Sequence, residues 1–192
     1  MELQHVNVKI YAERPEQVRQ ELFTPIFQQW IQNQATGELL IDVADYLHVE
    51  AGPGIVLIGN EADYSMDNSE HRLGLRYNRK APLGGDNRAK YKQALRAALL
   101  ACRRLEAEPL LGGMLSFDKK SYELFINDRA LAPNTPETLK KLQPELQEFF
   151  GSCLGGAVFT LRHDPDPRVR FGVKLQSTQP LDWGQLLKKL QD

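Results

Sequence analysis

Acidic and polar side chains gather in two neighbouring stretches, residues 39–50 and 55–64, that together predict a β-hairpin. Apolar and polar residues alternate in the first stretch, so its side chains project to two different faces. If residues 51–54 form a four-residue loop, Asp42 lies opposite Asp63 and shares a face with Glu61. The candidates for ligand binding on this hairpin are Asp42, Tyr46, His48, Glu61, Asp63 and Tyr64.

Two interpretations of this acidic cluster compete. Carboxylates on one face attract hard cations such as Mg²⁺ or Ca²⁺, and like charges raise one another's pKa toward values useful to a general base. The alternative is a solvated sheet surface that Arg72, Arg76 or Arg79 neutralises, in pairs worth roughly 0–1 kcal/mol each. The stretch DYSMDNSEH lacks the spacing of an EF-hand, and His48 and His71 do not form the HExxH pair of zinc hydrolases. We favour the neutralised surface and predict no metal and no cofactor.

Charge is distributed unevenly along a chain whose net charge is −1. Residues 1–71 carry twelve acidic and three basic side chains, whereas residues 72–104 carry ten basic side chains and one acidic one. The candidates for anion binding in this basic segment are Arg76, Arg79, Lys80 and Arg88. The segment is poor in aromatic residues that could stack on single-stranded nucleic acid. We therefore do not expect a nucleic-acid partner, and we expect the basic segment to face the acidic one, within one chain or across a homo-oligomer.

The spacing of apolar residues predicts the elements that must position these side chains. The predicted strands are 5–12, 39–50, 55–64, 72–79, 114–117, 122–127, 157–162 and 169–175, and the predicted helices lie in 15–37, 87–105, 136–149 and 183–190. Asp86 or Asn87 is the predicted cap of the second helix, and Thr135 that of the third. Pro25 lies inside the first helical pattern and predicts a kink or a break into two helices there. The unbroken apolar run 56–58 predicts a central strand with both faces covered.

The order of these elements predicts an α+β fold, in which a largely antiparallel sheet is covered by helices on one face. Strand, helix, strand, turn and strand describe residues 6–59 and again residues 122–175. We therefore predict two pseudo-repeated βαββ-like units. No Gly-, Ser- or Pro-rich linker divides the chain, which favours one α+β domain over residues 1–192.

Composition narrows the class of protein further. The chain has 192 residues, of which 42% are hydrophobic, enough for a sizeable core. Residues 1–11 lack the basic and apolar regions of a secretory signal, and no apolar run approaches the roughly 20 residues that span a bilayer. Cys102 and Cys153 form neither a CxxC pair nor a disulfide framework. We expect a cytoplasmic protein without a membrane partner.

Three stretches, LLIDVADYLHVEAGPGIVLIGNEADYSMD, LGLRYNRK and ALAPNTPETL, resemble members of a bacterial protein family of unknown function. The resemblance extends over most of the chain. It implies a small cytosolic bacterial protein, and it brings no activity, cofactor or catalytic residue with it.

Diagnostic catalytic motifs such as the GxSxG nucleophile elbow are missing from the sequence. We therefore expect a non-catalytic protein that binds a small ligand or a protein partner. Two alternatives stay open. One is an enzyme whose polar site lies on the 42–64 hairpin, and the other is an anion or nucleic-acid binder that uses the basic segment 72–104.

Overall fold

A single antiparallel sheet organises the fold, and the computed structural model describes residues 1–191. The strands are β1 (Val6–Ala12), β2 (Leu40–Tyr46), β3 (Gly54–Gly59), β4 (Ala62–Asp67), β5 (Gly74–Arg79), β6 (Phe117–Ile126), β7 (Phe159–Arg162) and β8 (Gly172–Ser177). The helices are α1 (Phe23–Asn33), α2 (Asn87–Glu106), α3 (Pro136–Cys153) and α4 (Trp183–Lys189). The strand order is β2-β3-β4-β5-β1-β6-β8-β7, and every neighbouring pair is antiparallel. The predicted α+β class with a largely antiparallel sheet is confirmed.

Alternation along the central strand β1 assigns the two faces of the sheet. Val8 and Ile10 point into the core shared with the helices and are almost fully buried. Lys9 points to the opposite side, which we call the open face. The register places Lys9 between Arg76 of β5 and Glu123 of β6, so charged side chains from three adjacent strands meet there.

Helices α1 and α2 bury apolar stripes against the other face of the sheet, and α3 packs on α2. α1 packs on β2 and β3, and α2 packs on β1 and β5. The carboxylate of Asp86 accepts a hydrogen bond from the backbone N–H of Ala89 at 2.8 Å and caps α2, and Thr135 caps α3 in the same way. Both caps follow the prediction. Within residues 1–191, none of the helices is both long and apolar enough to cross a bilayer.

The predicted kink or break at Pro25 is wrong, because the helical segment is interrupted before Phe23 and not at the proline. Residues Pro15–Gln17 and Gln20–Leu22 form two short 3₁₀ turns, and α1 starts only at Phe23. Pro25 is therefore the third residue of α1. The first N–H groups of a helix have no intrahelical acceptor, so a proline in this turn removes no hydrogen bond.

The acidic hairpin has a different register from the predicted one. Stretch 55–64 is not one strand, because Asn60 and Glu61 form a tight turn between β3 and β4. β3 pairs with both β2 and β4, and Ile58 lies between Asp42 and Asp63. The predicted direct pairing of Asp42 with Asp63 is therefore wrong. Asparagine favours turns because its side chain can hydrogen-bond to nearby backbone groups. The turn makes β4 a separate strand, so that β3 lies between β2 and β4.

The apolar run in β3 does not have both faces covered, contrary to the prediction. Leu57 points to the helices and is fully buried, whereas Val56 and Ile58 are half-buried on the open face. β3 is the second strand from the edge of the sheet. A continuous apolar run is thus compatible with a strand that is covered fully on only one side.

The predicted repeat has a counterpart in the topology, but with different equivalent strands. β1 and β6 are adjacent and antiparallel, and each leads into a helix, α1 or α3. The β2–β5 meander follows in the first half and the β7–β8 hairpin in the second, and the last strand of each lies beside the first, β5 beside β1 and β8 beside β6. β8 therefore corresponds to β5 rather than to β3. The β2-β3 hairpin is the extra element of the first half.

Candidate functional site

The open face of the sheet carries a pocket of about 570 Å³ beneath the β7–β8 loop, residues 163–171. We call it the sheet-face pocket. Small-molecule sites usually measure roughly 300–1,000 Å³. Its basic lining residues are Lys9, Arg76, Arg129, Arg162, Arg168, Arg170 and Lys174, and its acidic ones are Asp67, Glu70, Glu123 and Asp164. Basic groups therefore outnumber acidic ones in the lining.

A buried ion pair lies in the floor of the pocket. Nζ of Lys9 is 2.5 Å from Oδ1 of Asp67, and the two side chains are 5% and 1% exposed. The backbone N–H and the hydroxyl of Ser69 donate to Asp67 at 3.0 and 2.9 Å, and the Arg76 guanidinium lies 3.5 Å away. Burial favours the neutral acid, but Lys9, Arg76 and Ser69 together hold the pKa of Asp67 below its usual value. Asp67 therefore stays ionised and anchors both cations.

Two guanidinium groups lie over one aromatic ring at the side of this floor. Cζ of Arg76 and Cζ of Arg170 are 4.9 and 4.7 Å from the ring centroid of Phe125. Burial lowers the pKa of Arg170, and the positive charges of Arg76 and Arg129 act in the same direction. Within residues 1–191, no ion pair includes Arg129 or Arg170. Arg76 shares the carboxylate of Asp67, whereas Arg129 and Arg170 bring further positive charge to the same place, which favours a negatively charged ligand.

Hydrogen bonds fix the β7–β8 loop over the sheet. The side-chain amide of Asn134 donates to the carbonyl groups of Asp164 and Asp166, at 2.9 and 2.8 Å. Arg129 donates to the carbonyl of Arg168. The carboxylate of Asp166 pairs with the guanidinium of Arg168 at 2.7 Å. These contacts place the basic side chains of the loop at the rim of the pocket.

The other end of the sheet-face pocket is neutralised internally. The hydroxyl of Tyr11 donates to Glu123 at 2.7 Å, and burial together with the charge of Glu123 raises the pKa of Tyr11. Lys174 pairs with Glu70 at 3.2 Å. Among the described residues, Arg162 is a further pocket base without an ion pair, and it lies beside Lys174 in the register of β7 and β8.

The six ligand-binding candidates of the hairpin do not converge on one site. Asp42 and Tyr46 lie on β2, an exposed edge strand, and His48 is exposed in the loop that follows. Asp63 lies on the open face and pairs with Lys80 at 2.7 Å.

The other two candidates are held by different contacts. Glu61 lies in the β3–β4 turn, where its carboxylate accepts a hydrogen bond from the backbone N–H of Leu39 at 3.1 Å. Tyr64 projects to the helix side and donates to Glu38 at 2.8 Å. Tyr64 and Asp63 are consecutive residues of one strand and therefore point to opposite faces.

Of the four anion-binding candidates, only Arg76 lies in the sheet-face pocket. Arg79 lines a second cavity on the helix side of the sheet. Lys80 is engaged by Asp63, and Arg88 contacts the hydroxyl of Ser152 at 2.9 Å and a carboxylate on α3 at 3.7 Å.

Sequence reasoning missed most of the pocket, including Lys9, Phe125, Arg129 and Arg170. One local signal was present in β1, where the polar residues Asn7 and Lys9 alternate with apolar ones and all of them are buried. The convergence of β1, β6 and the β7–β8 loop depends on strand pairings between distant parts of the chain, such as Val8 with Leu124 and Phe125 with Gly172. No local pattern specifies such pairings.

Residues 1–191 contain no group of three or more His, Cys, Asp and Glu side chains placed to hold a metal ion. Comparisons of the chain with protein-family models, with curated proteins and with solved structures found no match. Function must therefore be inferred from the geometry of the sheet-face pocket.

Proposed function

We propose that this protein binds a small anionic molecule in the sheet-face pocket and does not transform it chemically. The observation that carries the proposal is the pair of guanidinium groups, those of Arg76 and Arg170, over the ring of Phe125. Arg129 lies close by, and within residues 1–191 neither Arg129 nor Arg170 is paired with a carboxylate. Guanidinium groups bind carboxylates and phosphates with two parallel hydrogen bonds. The ligand class is accordingly a small carboxylate or phosphate compound of the bacterial cytosol, the setting that the sequence resemblance implies.

Binding without catalysis is supported by the state of the acidic groups in the pocket. A general base needs a lone pair that is free to take a proton from the substrate. Asp67 is engaged by Lys9 and Ser69, and Glu123 accepts a hydrogen bond from the hydroxyl of Tyr11. The enzyme alternative on the 42–64 hairpin has weaker support, because its side chains lie on both faces of the sheet.

Isothermal titration calorimetry with inorganic phosphate and with citrate tests this proposal. We expect saturable binding to the wild type, with a matching rise of melting temperature. Arg170→Gln removes one charge-assisted contact, worth about 1.5–3 kcal/mol, and should weaken binding by about tenfold or more. Arg14→Gln is the matched control, because Arg14 is exposed and lies outside the pocket.

Three results would contradict the proposed function. One is the absence of saturable binding for both anions. Another is equal weakening by Arg170→Gln and Arg14→Gln, which would indicate general electrostatic attraction rather than a site. The third is turnover of a phosphate ester by the wild type that Arg170→Gln abolishes, which would show an enzyme.

A further inference from the structure

A second cavity, of about 1,090 Å³, lies on the helix side of the sheet, opposite the sheet-face pocket. α1 packs on β2 and β3 and α2 packs on β1 and β5, which leaves a gap over β4. We call this gap the helix-side groove. It follows α2 from Ala89 to Arg104, a distance of about 22 Å at 1.5 Å per helical residue. A groove of this length is suited to a polypeptide segment rather than to a compact metabolite.

Positive charge dominates the lining of the helix-side groove. Its basic residues are Arg79, Lys92, Arg96, Arg103 and Arg104. Within residues 1–191, none of these five takes part in an ion pair. These five side chains share the groove with Glu38 and Glu61 of the acidic segment but form no ion pair with either. Three other bases of the basic segment do pair with acids in residues 1–71.

The two acidic side chains in the groove lining accept hydrogen bonds from other groups of the protein. Glu38 accepts hydrogen bonds from the hydroxyl groups of Tyr64 and Tyr77, at 2.8 and 3.0 Å. Glu61 accepts one from the backbone N–H of Leu39. They fix the turn and the segment that form one wall, and the groove keeps a net positive charge because five basic side chains line it against these two acidic ones.

The apolar surface of the groove distinguishes between two classes of polyanion. Leu100 is 41% exposed and projects from α2 beside the half-buried Ala97. Trp30, the aromatic residue most suited to stacking, is only 3% exposed and lies under the guanidinium of Arg104, 5.7 Å from its ring. Bases of single-stranded nucleic acid need exposed aromatic rings, whereas an apolar side chain of a peptide can pack on Leu100.

We propose that the helix-side groove docks an acidic peptide segment of a partner protein. The carboxylates of the segment contact Lys92, Arg96 and Arg103 along α2, and an apolar side chain packs on Leu100. This site lies on the opposite face from the anion pocket and is independent of it.

Fluorescence anisotropy tests the docking site with a labelled peptide made of Asp-Glu-Leu repeats. The peptide has about fifteen residues, which is long enough to span the groove even as a helix. The double variant Arg96→Gln/Arg103→Gln should weaken binding by about fivefold to thirtyfold, since two ion pairs are lost. The control double variant Lys140→Gln/Lys141→Gln removes the same charge from exposed positions of α3 and should leave affinity unchanged. Circular dichroism verifies that both variants are folded.

Five outcomes overturn the proposal. Three of them are no binding of the peptide, equal weakening in the two double variants, and equal affinity for an Asn-Gln-Leu peptide of the same length. The fourth is tighter binding of a single-stranded oligonucleotide that depends on Arg96 and Arg103, which would make nucleic acid the occupant. Sedimentation of the protein alone is measured in parallel. Self-association that Arg96→Gln/Arg103→Gln abolishes would make a second copy of the chain the occupant and equally overturn the proposal.

Discussion

Removing either member of the Lys9–Asp67 pair should destabilise the protein strongly. The two side chains are 5% and 1% exposed, so water cannot replace the lost partner. Breaking a buried ion pair typically costs about 3–5 kcal/mol, because one charge is left uncompensated. We expect both Asp67→Asn and Lys9→Met to lower the free energy of unfolding.

The contacts of the pair predict an asymmetry between these two variants. Asp67→Asn leaves two positive charges, Lys9 and Arg76, without their shared carboxylate, and it weakens the contacts with Ser69. Lys9→Met leaves Asp67 with Arg76 at 3.5 Å and with both donors of Ser69. Asp67→Asn should therefore cost toward about 5 kcal/mol and Lys9→Met nearer about 3 kcal/mol.

Urea denaturation at neutral pH, followed by tryptophan fluorescence, measures both costs. A loss below about 1 kcal/mol for Asp67→Asn would refute the reasoning, since surface substitutions produce changes of that size. An order in which Lys9→Met is the more damaging change would refute the asymmetry.

The pH dependence of stability gives an independent measurement on Asp67. Its pKa in the folded state is lowered, so the folded state releases the proton more readily than the unfolded state, where the pKa is about 3.9. The resulting stability is fully present above that pH and is lost as the pH falls through the lower folded value. The wild type should lose stability more steeply than Asp67→Asn below roughly pH 5, and identical slopes would contradict this.

Three further substitutions are tested by chemical denaturation, two on the helix side of the sheet and one on the open face. Leu57→Ala should lower the free energy of unfolding by about 2–5 kcal/mol through lost burial and the cavity left behind. Val56→Ala, on the half-buried side of the same strand, should lower it clearly less, and equal losses would contradict the one-sided burial of β3. Glu38→Gln should lower it by about 1.5–3 kcal/mol, because the hydroxyl groups of Tyr64 and Tyr77 lose a charged acceptor. An unchanged denaturation midpoint would show that water replaces these hydrogen bonds.

The fold class was predictable because it depends on local patterns. Alternation in β1, the apolar spacing of α2 and the cap at Thr135 are each contained within a few consecutive residues. Such patterns give the type and order of elements, and antiparallel order follows when short connections join them. The wrong predictions at Pro25 and at the Asn60-Glu61 turn also concern local structure. Each arose because the residue is compatible with two different backbone structures.

The candidate site could not be predicted in the same way. Asp42 and Asp63 were expected to be direct neighbours, and one extra strand between them removed that pairing. The pocket instead joins β1 to β6, and Phe125 reaches Arg76 and Arg170 from different parts of the chain. Cross-strand register is a property of the whole sheet, and a single sequence does not contain it.

The buried charges in the floor of the sheet-face pocket are better explained by binding than by stability. Replacing a buried ion pair with apolar residues of similar size is often neutral, or stabilising by about 1–4 kcal/mol, so stability alone does not require Lys9 and Asp67. Asp67 also holds the guanidinium of Arg76, which contacts Asn7 at 3.3 Å and lies over Phe125. The double variant Lys9→Met/Asp67→Leu should therefore be more stable than Asp67→Asn and yet bind phosphate more weakly than the wild type. Wild-type affinity in that variant would show that the pair is structural and that the anion contacts only the arginines of the rim.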